Sequence, residues 1–166
     1  MEFTLTFLAV ERLGYSSMDN AYMFIFIGFF IAMVQGGYVR RKAHKVGERK
    51  MAMQGLIAIA PGLVLLAYAQ SPLMLYSGLF FLSVGSAMSI PCLTSLVTFY
   101  SPEHMQGQSL GIFRSLGSLG RVIGPIYASL VFWRFGSMFA YLSGAVLVFL
   151  PAFIISKLPP VPKTDE

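Results

Sequence analysis

The run GQSLGIFRSLGSLGRVIGPIYASLVFW, Gly107 to Trp133, is apolar over a length that crosses a bilayer. About 20 apolar residues at a rise of ~1.5 Å each span the ~30 Å hydrocarbon layer. Two arginines interrupt it, Arg114 and Arg121, two helical turns apart and therefore on nearly one face. Arg121 lies near the middle, where an arginine costs roughly 2.5–3.5 kcal/mol on insertion scales. Such a charge has to meet a partner or water. Ser118 and Pro125 share its stripe, and Gly117, Gly120, Gly124 and Ala128 make a smooth stripe beside it. One side of this helix is suited to a close neighbouring helix, and the other to a wet cavity.

The whole chain agrees with a membrane setting. Of its 166 residues 56% are hydrophobic and only 11% charged, and the mean hydropathy is +0.71, far from the balance of a soluble domain. That length holds five or six spans with short loops and leaves no room for a separate soluble domain. The net charge of +5 does not point to nucleic acid, because the basic residues sit beside apolar runs, as on a cytoplasmic membrane face. Cys92 is the single cysteine, so an intramolecular disulfide is impossible; it reads as a packed interior residue. Met1–Val10 is apolar but has no basic leader region or small-residue cleavage site, and it is too short to span. The expectation is a chain that begins partway through a transmembrane helix, or a first helix lying on the surface.

Further along, ERLGYSSMDN (Glu11–Asn20) reads as a loop, and apolar runs predict spans at about 21–38, 51–69, 73–100, 107–133 and 138–156. The fold expected is therefore all-α: five full transmembrane helices and a partial one. Pro61, Pro91, Pro125 and Pro151 fall inside four different spans, where each removes a backbone hydrogen bond and invites a kink. Residues 158–166 carry proline and charge, as an extended exposed tail does. The most basic segment, VRRKAHKVGERK (Val39–Lys50), sets Arg40, Arg41, Lys42, Lys45, Arg49 and Lys50 against the one acid Glu48. Placing it inside puts the tail inside too, and leaves only Arg12 and Arg134 outside. The tail is thus expected in the cytoplasm.

No catalytic pattern is present. His44 and His104 are not at metal-ligand spacing, and neither HExxH nor a P-loop occurs; no metal or cofactor is expected. GSLGRVIG has the letters of a GxxGxxxG motif but lies within a helix without a preceding strand, so it reads as helix packing, not dinucleotide binding. Two readings of the arginines stay open. Arg114 and Arg121 either bond to carbonyls or a carboxylate on a neighbouring helix, Arg114 snorkelling to the interface, or attract an anionic group into a central cavity. Glu2 is the one acid near the membrane interior, as a counter-ion or a protonatable coupling group. Ser83, Ser86, Ser89, Thr94 and Ser95 of the long span either line a path or bond back to their own helix.

MEFTLTFLAVERLGYSS, GGYVRRK, IPCLTSLV and FRSLGSLGRVIGP together resemble the major facilitator superfamily, and within it the tetracycline-transporter-like subfamily of animals. Nearly the whole chain is similar to the C-terminal half of such a transporter, which is built of two six-helix halves with the substrate between them. The resemblance implies secondary transport of organic anions or drug-like molecules, by proton antiport and alternating access. Its partners would be the lipid bilayer, a small organic substrate, protons and the missing N-terminal half. Arg121, Arg114 and Ser118 would then bind substrate. Gly117, Gly120, Gly124, Pro125 and Pro91 would serve packing or kinking. The superfamily's loop motif, Gly-x-Leu-Ala-Asp-Arg-x-Gly-Arg-Arg, is matched loosely by Gly37, Arg40, Arg41, Gly47, Arg49 and Lys50, with an arginine near the place of the acid. A different reading is a non-transporting truncated product that acts as an assembly or regulatory subunit.

Overall fold

A computed structural model describes residues 2–159, the side chains of residues 2–4, 44 and 137 excepted. The helices are α1 (Glu2–Leu13), α2 (Ser17–Met33), α3 (Arg40–Val46), α4 (Glu48–Ala67), α5 (Pro72–Phe99), α6 (Gln106–Phe135) and α7 (Ser137–Lys157). No strand occurs among the described residues, as expected of an all-α membrane bundle. Among the described residues five helical runs are long and apolar enough to cross a membrane: Ser17–Ala43, Glu48–Ala67, Pro72–Phe99, Glu103–Phe135 and Met138–Lys157. With 12 residues, α1 is shorter than a span requires.

Local chemistry sets the helix ends. Ser16 caps α2: the Asp19 N–H donates to Ser16 Oγ at 3.3 Å, and the Ser16 N–H donates to the Asp19 carboxylate at 2.9 Å. This capping box starts the helix earlier than the expected 21. Ser71 caps α5 by accepting from the Met74 N–H, with Pro72 preset for the first helical position. At its far end α2 does not stop. It passes through a π-helical turn, Val34–Val39, in which the Arg40 N–H donates to the Gln35 carbonyl, and continues as α3. Most of the basic segment expected as a loop is therefore helical. The break falls at Gly47, whose φ of +87° is a backbone conformation glycine adopts without penalty. Proline does not interrupt the helices either, since Pro61, Pro91, Pro125 and Pro151 all lie within continuous helix.

Two buried clusters fill the bundle. One joins Leu5 and Leu8 of α1, Met23 of α2, Leu63 and Leu66 of α4, Leu75 and Leu79 of α5, and Tyr141 of α7. The second joins Val34 and Val39 to Met51 and Leu56 of α4, Met88 and Cys92 of α5, and Ile155 of α7. Helices α4 and α5 make the closest approach. A Cβ on Gly55 would stand 2.4 Å from Ser89 Oγ and 2.7 Å from the Gly85 carbonyl oxygen; one on Gly62 would stand 3.0 Å from the Gly78 oxygen. Each helix offers its glycines two turns apart, so both pairs meet along one seam. By contrast α6 gives no buried residue to either cluster.

Candidate functional site

The 30-residue α6 carries the arginines. Its partly buried positions are 106, 109, 110 and 113 near the start, and 125, 128, 131 and 132 near the end. At 3.6 residues per turn these two sets share one face, the face toward the bundle. Along the middle of that face come Gly117, Gly120, Arg121 and Gly124, yet every residue from 114 to 124 is exposed. A Cβ added at Gly117, Gly120 or Gly124 would meet nothing within 4 Å. The helix thus touches the rest of the chain at its two ends and stands clear of it between them. Arg121 borders the opening.

The Arg121 guanidinium donates from Nη2 to Ser118 Oγ at 3.1 Å, across one turn of its own helix. Five N–H donors belong to an arginine, so most of them remain for an acceptor that this helix does not supply. Arg114 is exposed two turns away. Asp19 is held in the capping box, and Glu103 is exposed in the Glu103–Met105 turn before α6. Glu2 opens α1, but its side chain lies outside the described residues, as does the tail beyond Pro159. No group of His, Cys, Asp or Glu suited to a metal ion occurs among the described residues.

Between α1 and α6 lies a cleft of about 580 Å³ lined by Phe7, Pro125, Ile126, Ser129, Leu130 and Trp133. Among the described lining residues, polar side-chain atoms come only from the Ser129 hydroxyl and the Trp133 indole N–H, so Pro125 borders a mostly apolar wall. In α5 the hydroxyls of Ser83, Thr94 and Ser95 donate to the carbonyls of Leu79, Ile90 and Pro91. They satisfy their own helix, as one of the two sequence readings has it.

The loop-motif residues divide. Gly37 lies in the π-helical turn and Gly47 at the joint between α3 and α4, while Arg40, Arg41 and Lys50 are exposed. Arg49 does something its position in the sequence does not reveal. Its Nε donates to the Ile155 carbonyl at 3.1 Å and its Nη2 to the Ser156 carbonyl at 2.5 Å, capping the last turn of α7. Arg12 repeats the device elsewhere: Nη1 donates to the carbonyls of Ala67 at 2.9 Å and Ala69 at 3.1 Å, at the end of α4. Carbonyls at a helix C-terminus have no intrahelical donor and carry partial negative charge, so a guanidinium fits both places. The only hint in the sequence is a basic residue near a helix end, since the acceptors lie tens of residues away.

A profile of the Major Facilitator Superfamily matches residues 1–125 and 41–166. The chain belongs to this superfamily. It is 35% identical to the human major facilitator superfamily domain-containing protein 10 over 158 residues, 95% of the chain and 34% of that protein. To the class B tetracycline resistance protein of Escherichia coli it is 26% identical over 122 residues, 74% of the chain and 30% of the relative. The crystal structure of the human organic anion transporter MFSD10 (TETRAN) superposes with a TM-score of 0.87 at 35% identity, covering 93% of the chain and 36% of that structure. The chain therefore spans about a third of the length of these superfamily members. Its relatives are major facilitator transporters, not enzymes, and the chain is an integral multi-pass membrane protein of the same kind.

Proposed function

We propose that the chain is the C-terminal half-bundle of a secondary transporter for organic anions or drug-like molecules, with Arg121 as the principal anchor for the anion. One observation carries this: the Arg121 guanidinium lies on the bundle-facing stripe of α6 where that stripe stands clear of every other helix. A cation there is worth its insertion penalty if an anion or water fills the opening. The description of a 35%-identical human protein as an organic anion transporter supports the substrate class. Arg114 draws the anion from one end of the helix, and Ser118 orients the guanidinium. The smooth wall of Gly117, Gly120 and Gly124 leaves space for the substrate and for a complementary N-terminal half.

In this reading the two halves rock about the substrate, exposing it alternately to either side. Proton antiport drives the cycle, with Glu2 as the coupling candidate. The basic segment and the tail face the cytoplasm, by the excess of arginine and lysine on that side.

The test is uptake of a panel of organic anions into proteoliposomes holding this chain together with an N-terminal half from the human relative. Loss of a hydrogen bond to a charged group costs about 1.5–3 kcal/mol, so Arg121→Gln lowers anion uptake roughly tenfold to hundredfold while leaving insertion unchanged. Wild-type uptake of every anion by the Arg121→Gln variant would remove this residue from the site. Should the pair of halves move nothing while the chain alone binds other membrane proteins, the assembly-subunit reading takes its place.

A further inference from the structure

The end of the bundle where α3, α4 and α7 meet carries cations that neither the fold nor the substrate opening uses. On α3 the inward face is apolar: Ala43 and Val46 pack against the cluster of Val39, Met51 and Ile155. The outward face carries Arg41, Lys42 and Lys45, all exposed. One turn before them, Tyr38 points the same way, and Lys42 Nζ lies 5.1 Å from the centre of its ring. At the end of α7 the pattern recurs, with Lys157 Nζ 4.7 Å from the Phe153 ring. The Arg49 bonds to Ile155 and Ser156 place both aromatic–cation pairs at one end of the molecule. Tyr38 and Phe153 are 41% and 62% exposed, so each ring faces the surroundings with its cation beside it.

We infer that this end is a binding site for anionic phospholipid headgroups, with Arg41, Lys42 and Lys45 as the phosphate-contacting cations and Lys157 as a second point of attachment. The continuity of the helix decides in favour of lipid. Helix α2 runs through the π-helical turn into α3 without a loop, so the cations begin directly where the apolar span ends. That is the depth of the headgroups, and rings at that depth form the aromatic belts of membrane proteins. Basic clusters immediately next to a span attract acidic lipids, and Arg41 and Lys42 follow the apolar run within about one turn of Tyr38. A soluble acidic protein would have to enter the headgroup layer to reach Tyr38 and Lys42 together. The inference is independent of Arg121, which lies on a different helix.

The experiment uses the full chain in nanodiscs of phosphatidylcholine with and without phosphatidylserine, and reads the enrichment of phosphatidylserine among the lipids retained on extraction into neutral detergent. Wild type retains phosphatidylserine selectively. At about fivefold per cation, the triple variant Arg41→Gln/Lys42→Gln/Lys45→Gln lowers the affinity roughly hundredfold, and the charge-keeping Arg41→Lys/Lys42→Arg/Lys45→Arg restores it. Lys157→Gln alone gives a smaller loss in a chain whose α3 is untouched, so a triple variant that misfolds does not shelter the idea. Soluble glycerophosphate and polyglutamate are the competing probes. Equal retention of phosphatidylcholine and phosphatidylserine overturns the site, as does wild-type selectivity in both the triple variant and Lys157→Gln. Polyglutamate displacing the lipid at equal charge concentration overturns it in favour of a protein partner.

Discussion

The seam between α4 and α5 and the middle of α6 are both written in glycine, and they use it in opposite ways. At the seam, Gly55 faces Gly85 and Gly62 faces Gly78, with backbone oxygens at contact distance from where a Cβ would be. There the missing side chain is replaced by a neighbouring helix. On α6, Gly117, Gly120 and Gly124 meet nothing within 4 Å, and the missing side chain is replaced by open space beside a guanidinium. Arginine shows the same division. Arg12 and Arg49 are spent on helix C-termini, whereas Arg121, among the described residues, bonds one serine hydroxyl on its own helix. A residue type thus says little until its neighbour is known.

The contrast can be broken by substitution, beginning where the effect is greatest. Gly55→Leu drives a side chain into Ser89 and the Gly85 backbone, which cannot retreat without parting the helices. Overpacking of this kind costs about 1–3 kcal/mol or more, and α4 and α5 join both buried clusters. The expected outcome is loss of a monodisperse peak in size-exclusion chromatography. Gly120→Leu in the same assay keeps the peak. Equal behaviour of the two variants would end the distinction.

Arg49→Ala comes next. It leaves the Ile155 and Ser156 carbonyls without their donor, at roughly 1.5–3 kcal/mol for bonds to a charged group, and lowers the thermal midpoint measured in detergent. Arg121→Ala leaves that midpoint unchanged while reducing anion uptake, so the pair separates an arginine that holds the bundle from one that serves the opening. A smaller loss, about 1 kcal/mol, is expected of Ser16→Ala, which removes the cap of α2 and is read as faster hydrogen exchange at Ser17–Asn20. Smallest is Gly120→Ala. With open space around it and a helical backbone, the added methyl stabilises by about 0.5–1 kcal/mol at most, the opposite sign from Gly55→Ala.

How far the sequence went is clear from the same residues. It located the five long spans because burial of some 20 apolar residues leaves a signal no loop can imitate. The run 107–133 and the helix Gln106–Phe135 differ by only a residue or two at each end. It was less able to find where α2 stops, because a π-helical turn and a basic α3 continue the helix after the apolar pattern has ended. The small-residue stripe of α6 was visible, but periodicity fixes only the face on which glycines fall, and the close packing within the chain proved to be at Gly55, Gly62, Gly78 and Gly85.

What the amino-acid order determined by itself was membrane insertion, the number of long spans and superfamily, since each rests on local hydropathy and short motifs carried in one stretch of chain. Which glycines touch, which arginines close a helix end and which one borders open space were decided only by the tertiary structure. The reason is geometric. Arg49 and its acceptor Ser156 are 107 residues apart, and a helix of 3.6 residues per turn prescribes the direction of each side chain but not what stands opposite it.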